Sequence, residues 1–257
     1  MTFRKILSLV IIMALLPIAA FSQKDKKSTI KDTREYVDLG LPSGTLWATC
    51  NIGASKPEEF GLYFAWGETK GHTSDTSDGH KFEIKNYKWS DFNSKYPKLL
   101  KYRINRNSIA DKKVLDPEDD AATVNWGSKW QIPSLEQIKE LCDSTYTTAE
   151  WTTLNGVNGR KITSKKNDNW IFLPAANIII TAGSSGIYWS RTLYMGMDDD
   201  AVTLEFYKDK WFFDSHNPRY HGLSVRPVRT QKQKSGKRKI DKNETEEAPN
   251  EVYLLVK

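Results

Sequence analysis

Toward the C-terminal end of the chain, hydrophobic and polar positions alternate with the period of a strand. From Ala201 to Phe206, Val202, Leu204 and Phe206 fall on one side, and Thr203, Glu205 and Tyr207 on the other. Leu223 and Val225 against Ser224 and Arg226 repeat the pattern, and Trp189-Ser190-Arg191 opens the region. Between the last two strands lies 208–220, mixed aromatic and polar, which reads as a loop presented by a rigid sheet. Earlier strands are expected at Tyr36-Val37-Asp38-Leu39, at Leu46 to Cys50, and in the glycine-bounded run Gly61 to Gly67. Glu68 to His80 has neither period and reads as a mobile polar loop.

One helix is clearly marked. Ser134 is followed three positions on by Gln137, the spacing of a capping box, and Leu135, Ile138, Leu141 and Cys142 then form one apolar stripe. A shorter helix is expected within Asp119 to Val124. Thr148 to Thr152 leads into a hairpin, with Asn155-Gly156 and Asn158-Gly159 as the strongest turn signals. Lys161 to Ser164 and Trp170 to Leu173 read as paired strands, and no internal repeat is present.

Composition changes this picture mainly at the two ends. Arg4 and Lys5, an apolar run from Ile6 to Ala20 and the small residues Ala20 and Ser22 have the form of a secretory leader over 1–22. The run is short for a membrane span, and no Cys stands at the cleavage site to carry a lipid. The chain is therefore expected to be exported, periplasmic, cell-surface or secreted, without a membrane span once the leader is removed. Residues 23–34 read as a polar spacer and 230–257 as a charged linker and tail. All nine Trp fall between Trp47 and Trp211, so one domain over 35–229 is expected. The net charge of +6 is concentrated in the leader and tail, which leaves the domain near neutral. A nucleic-acid partner, which needs a basic excess on the folded part, is excluded on that ground. Cys50 and Cys142 are the only cysteines; they suit a disulfide in an exported protein or two small buried thiols equally well.

Several blocks of the domain resemble one family. Val37 to Ala54 with its Leu39-Gly40-Leu41-Pro42-Ser43-Gly44 core, Gly61-Leu62-Tyr63-Phe64-Ala65-Trp66-Gly67-Glu68-Thr69, Trp130-Gln131-Ile132-Pro133-Ser134, Tyr188-Trp189-Ser190 and Gly222 to Arg229 occur in order. Together with Asp119-Asp120-Ala121-Ala122, Trp126-Gly127 and Ile171 to Ala176, they are similar to the Fibrobacter succinogenes major paralogous domain family of exported Bacteroidetes proteins. The resemblance implies an α+β, C-type-lectin-like fold with a twisted antiparallel sheet, one or two helices and long loops. Formylglycine-generating enzymes and retroelement-diversified variable proteins use the same architecture, and the latter vary residues on the C-terminal sheet and loops. Fold alone does not fix function.

The chemistry favours binding. The carboxylate-Pro-amide motifs of calcium-dependent lectins are absent from the domain, and Asp198-Asp199-Asp200 and Asp116 to Asp120 read better as an acidic turn and as helix N-terminal carboxylates. No cofactor is expected. The cysteine pair of the formylglycine-generating enzymes has no counterpart in the C-terminal half. His72 and His80 fall in the polar loop and are expected at the surface; His216 and His221 have no nucleophile beside them in sequence. The candidate ligand-binding residues are Tyr207, Lys208, Trp211, Phe213, Asp214, His216, Asn217, Arg219 and Tyr220, bordered by Tyr194, Met195 and Asp198 to Asp200. The expectation is a non-catalytic domain that recognises a protein or glycan. A second reading is an envelope assembly subunit that donates Glu251 to Val256 as a strand, and a catalyst related to the formylglycine-generating enzymes is the third.

Overall fold

The computed structural model describes residues 34–73, 78–92, 98–105, 109–177 and 182–230. The leader, all but the end of the spacer and the tail after Thr230 lie outside these residues. The described chain is mostly strand with two short helices. Three sheets build it rather than one. The first joins β1 (Tyr36–Asp38), β2 (Thr45–Ala48) and β11 (Val228–Thr230), with β2 in the middle. The two ends of the domain thus share a sheet, with β1 and β11 on either side of β2.

The hairpin prediction holds and extends further than expected. β4 (Thr147–Leu154), β5 (Val157–Ser164) and β6 (Trp170–Pro174) form an antiparallel sheet turned at Asn155-Gly156. Asn155 at φ 47° and Gly156 at φ 84° supply the two left-handed residues that such a two-residue turn requires. Asn158-Gly159, the second expected turn, instead lies within β5. Its glycine serves close packing: a Cβ there would lie 2.4 Å from the Leu173 carbonyl oxygen and 2.5 Å from the Phe172 ring.

The third sheet has the order β3 (Tyr63–Phe64), β10 (Leu223–Ser224), β7 (Gly186–Leu193), β8 (Asp200–Phe206) and β9 (Trp211–Pro218). Its pairs are antiparallel except β10 with β7, which is parallel. Its strands β7 and β8 are buried on both faces. Ile187, Trp189 and Ala201 join a core with Phe64, Trp66, Trp130 and Leu223, while Tyr188, Leu204 and Phe206 join another with Trp47, Leu141 and Leu173. This corrects the simple inside-outside reading of β8: Thr203, on the supposed polar side, is wholly buried under the first core. Two tryptophans lock β3 and the turn after it to β7, with Trp66 donating to the Ser190 carbonyl (2.8 Å) and Trp189 to that of Phe64 (2.7 Å).

Helix α1 (Ala121–Trp126) starts where Asp120 Oδ1 accepts from the amides of Ala122 and Thr123, both at 2.9 Å. Helix α2 (Leu135–Cys142) carries the full capping box of Ser134 and Gln137 and buries Ile138 and Leu141. No helix among the described residues is long and apolar enough to cross a membrane. Cys50 and Cys142 are both free thiols, and each is half-buried rather than fully enclosed.

Candidate functional site

The expected loop 208–220 is for the most part a strand. β9 pairs with β8 along its length and forms the outer edge of the five-stranded sheet, so its side chains are held by a ladder and not by a loop. The ladder is interrupted once. Ser215 lies opposite Thr203 and Phe212 opposite Glu205, so Phe213 and Asp214 together face the single residue Leu204. Such a bulge bends the strand and re-aims its side chains. Phe212 and Phe213 consequently both stand exposed, at 41% and 39%, where strict alternation would have buried one of them. Asp214 is exposed beside them.

The other expected contact residues divide. Lys208 is exposed in the β8–β9 turn, which Arg160 of β5 pins by donating to the carbonyls of Tyr207 (2.7 Å), Lys208 and Lys210 (both 3.3 Å). The Tyr207 hydroxyl donates to Glu205, and that bond together with burial pushes its pKa up to about 12. A hollow of about 550 Å³ opens here between Glu205, Tyr207, Lys210 and Phe212. Trp211 is half-buried against the second core, with the Arg160 guanidinium 5.3 Å above its ring. Its role is therefore shared between core and surface.

At the far end of β9, His216 is half-buried. Its Nδ1 lies 2.5 Å from Oδ2 of the buried Asp200, and its ring is stacked on Tyr194 at 3.9 Å. Asn217 donates to Thr203 Oγ1 at 3.3 Å, and Tyr220 is half-buried with its ring edge-on to His221 at 4.8 Å. Met195 and Met197 are exposed in the turn that leads into β8. Burial holds the His221 imidazole below its usual range.

Arg219 requires a correction. It is wholly buried and cannot meet a ligand. Its guanidinium donates to the Tyr87 hydroxyl (3.0 Å) and to the carbonyls of Tyr102 (3.2 Å), Asp198 (2.9 Å) and Lys101 (3.0 Å), and lies 4.8 Å over the Trp66 ring. A donor fork with no carboxylate partner is satisfied here by carbonyl oxygens and aromatic faces. The brace ties the Asp198 turn to the 98–105 segment. Between those two walls lies a cleft of about 770 Å³, lined by Ile84, Leu99, Ile104 and Ile109 with Asp198, Asp199, Lys98 and Arg103. Sequence reasoning missed this cleft. Its other wall comes from stretches with no period, and only Asp198 and Asp199 had been named from the sequence, as the border of the β9 surface.

The acidic runs are accounted for inside the fold. Asp120 caps α1 and also accepts from the Ile132 amide (2.9 Å), while burial raises its pKa. Asp119 accepts from Lys101 (2.5 Å) and from the Tyr102 hydroxyl (2.6 Å). Among the described residues, no group of three or more His, Cys, Asp or Glu is arranged to hold a metal ion. His72 was expected at the surface and is instead 5% exposed, bonded to Asp78. No family model, curated protein or solved structure matches the chain.

Proposed function

We propose that this chain is an exported, non-catalytic recognition domain that binds a protein partner through the side-chain face of β9 and the adjoining β7–β8 turn. The observation that carries this reading is the bulge at Phe213-Asp214, which leaves Phe212 and Phe213 open on a strand otherwise locked by its ladder. Rigid aromatics that lose little entropy on contact are the usual anchors of protein interfaces. Met195 and Met197 add adaptable apolar area at the other end of the strand, beside the polar His216 and Asn217. A glycan remains the competing ligand, with Tyr194 and His216 as its stacking surface.

The proposal includes the resemblance of 35–229 to the Fibrobacter succinogenes major paralogous domain family and a C-type-lectin-like arrangement. Support comes from the two domain ends sharing one sheet and from a recognition face built by the C-terminal strands. His216 with Asp200 has the form of an oriented base. However, no hydroxyl or thiol nucleophile is hydrogen-bonded to its ring among the described residues, which favours recognition over hydrolysis.

The test compares the secreted chain with its F212A/F213A variant, on envelope and host protein preparations and on a glycan array. The expected result is a protein partner whose affinity falls roughly 30-fold or more in the variant, the loss of a hot-spot anchor, with circular dichroism and Tm unchanged. Equal binding by both forms, or a signal from glycans alone, would overturn the reading.

A further inference from the structure

The outer edge of β3 is closed by a pair of imidazoles. His72 exchanges both backbone hydrogen bonds with Tyr63, each 2.9 Å, and so acts as a one-residue strand beside β3. Its buried ring is stacked on that of His80, with centroids 3.6 Å apart and planes 13° from parallel. Phe82 meets both rings edge-on, at 5.7 and 4.7 Å. Asp78 bridges the pair: Oδ2 lies 2.5 Å from His72 Nδ1, and Oδ1 accepts from the His80 amide at 3.0 Å. The assembly is seated without slack. A Cβ on Gly222 would lie 2.3 Å from the Phe82 ring, and one on Gly71 2.6 Å from that of Phe64.

Such a stack accommodates one positive charge but not two. The Asp78 carboxylate lies against the His72 ring and can offset a single charge in the stack. A second, on His80, faces an imidazolium across van der Waals contact, where like charges repel strongly and little water intervenes. The neighbouring charges do not remove the conflict: Lys70 adds to the repulsion, and Glu68 and Asp78 oppose it. The ring packed edge-on against both imidazoles is that of Phe82, which carries no charge. Burial and the His72 charge act in the same direction, and His80 is held below its usual range.

We propose that His72 and His80 form a proton-operated clasp, in which uptake of a second proton in mildly acidic medium parts the stack and breaks the pairing of His72 with Tyr63. The sign follows from linkage. The opened form takes up the proton at its ordinary value and the closed form only below it, so closure is complete above about pH 6.5 and weakens as the pH falls. A site lies downstream. Ile84 lines the 770 Å³ cleft, and the Tyr87 hydroxyl receives Arg219 and donates to the Trp66 carbonyl at 2.7 Å. Opening the clasp loosens that wall, which would make ligand retention acid-sensitive. This last consequence rests on the recognition reading, whereas the clasp itself does not.

The test is amide hydrogen exchange at Tyr63 and His72 in the full secreted chain without ligand, between pH 7.5 and 5 and corrected for intrinsic exchange. The opening constant is expected to be flat above about pH 6.5 and to rise as the pH falls below it, by no more than about tenfold per pH unit for one added proton. His80→Phe, which keeps a stacking ring and removes the charge, should abolish the slope. Flat exchange in the wild type, or an unchanged slope in His80→Phe, would overturn the proposal. Should that variant fail to fold, NMR titration of the unmodified imidazoles decides: two separated protonation steps support the clasp, and one shared step with the Tyr63 and His72 amides still protected overturns it. Because no ligand is present, a negative result here leaves the Phe212/Phe213 binding test untouched, and the reverse also holds.

Discussion

Arg219 shows how far a side chain's role depends on which way its strand leads it. In sequence it stands among exposed-type groups; in the fold it leaves the end of β9 inward and gathers the hydroxyl of Tyr87 and three carbonyl oxygens. Arg219→Ala orphans those acceptors, each at a cost of about 1–3 kcal/mol. The loss in urea unfolding should therefore exceed about 4 kcal/mol, large enough to mark a broken buried network. Phe213→Ala should change stability by less than about 0.5 kcal/mol, as exposed positions do. Asp120 makes a different point. Its carboxylate caps α1 and serves Ile132 while burial raises its pKa. A raised folded value means that the native state keeps its proton to higher pH than the unfolded chain does. Stability from this group is thus fullest in acid and declines as pH rises from the unfolded value through the folded one. Asp120→Asn keeps one accepting oxygen for the cap and should flatten that part of the pH–stability profile. Asp120→Ala should cost about 1–3 kcal/mol through the lost cap and the orphaned Ile132 amide. Denaturant midpoints measured across pH 4 to 8 would separate the two.

At the scale of elements, β9 is an open edge that is poorly suited to receiving another strand. The bulge at Phe213-Asp214 twists the ladder, Lys208 and Lys210 flank its start, and Pro218 closes it, all features that blunt edge-to-edge pairing. This weighs against strand donation onto β9 and in favour of recognition by side chains. Deleting Asp214 would restore a regular register, with Phe213 opposite Leu204 and turned toward the second core. The expected outcome is a folded protein, judged by circular dichroism, whose partner binding falls as far as in F212A/F213A. Retained binding would show that the bulge is incidental. The bulge also marks the limit of what the sequence disclosed. Capping boxes, Asn-Gly turns and alternation depend on neighbours in the chain, so α2, the β4–β5 hairpin and β8 were all legible. A bulge depends on the register of a partner strand, and the cleft on three segments that meet only in the folded chain. Neither leaves a periodic trace. The burial of His72 was hidden for the same reason: its polar neighbours suggested surface, and only the stack with His80 and the seat under Phe82 took it inside.

For the molecule as a whole, one sheet between two cores removes the need for covalent staples. A domain of this length buries roughly 70% of the surface that its unfolded chain exposes, and tryptophans 47, 66, 130 and 189 are each almost completely enclosed. The two thiols play no part in joining the cores. Cys142 packs against the second core, where burial pushes its pKa far up, and Cys50 donates to the Ala54 carbonyl at 3.3 Å, its pKa also raised by burial. Thiols kept in the protonated form react slowly. The folded protein should therefore modify slowly with a thiol reagent and reveal both cysteines only in denaturant. Its Tm should be the same with and without reductant. A disulfide would give the opposite pattern, with no free thiol in denaturant and a Tm that drops on reduction by the several degrees that correspond to about 2–4 kcal/mol. The two outcomes are far enough apart for a single pair of melting curves to decide whether hydrophobic burial alone holds this domain together.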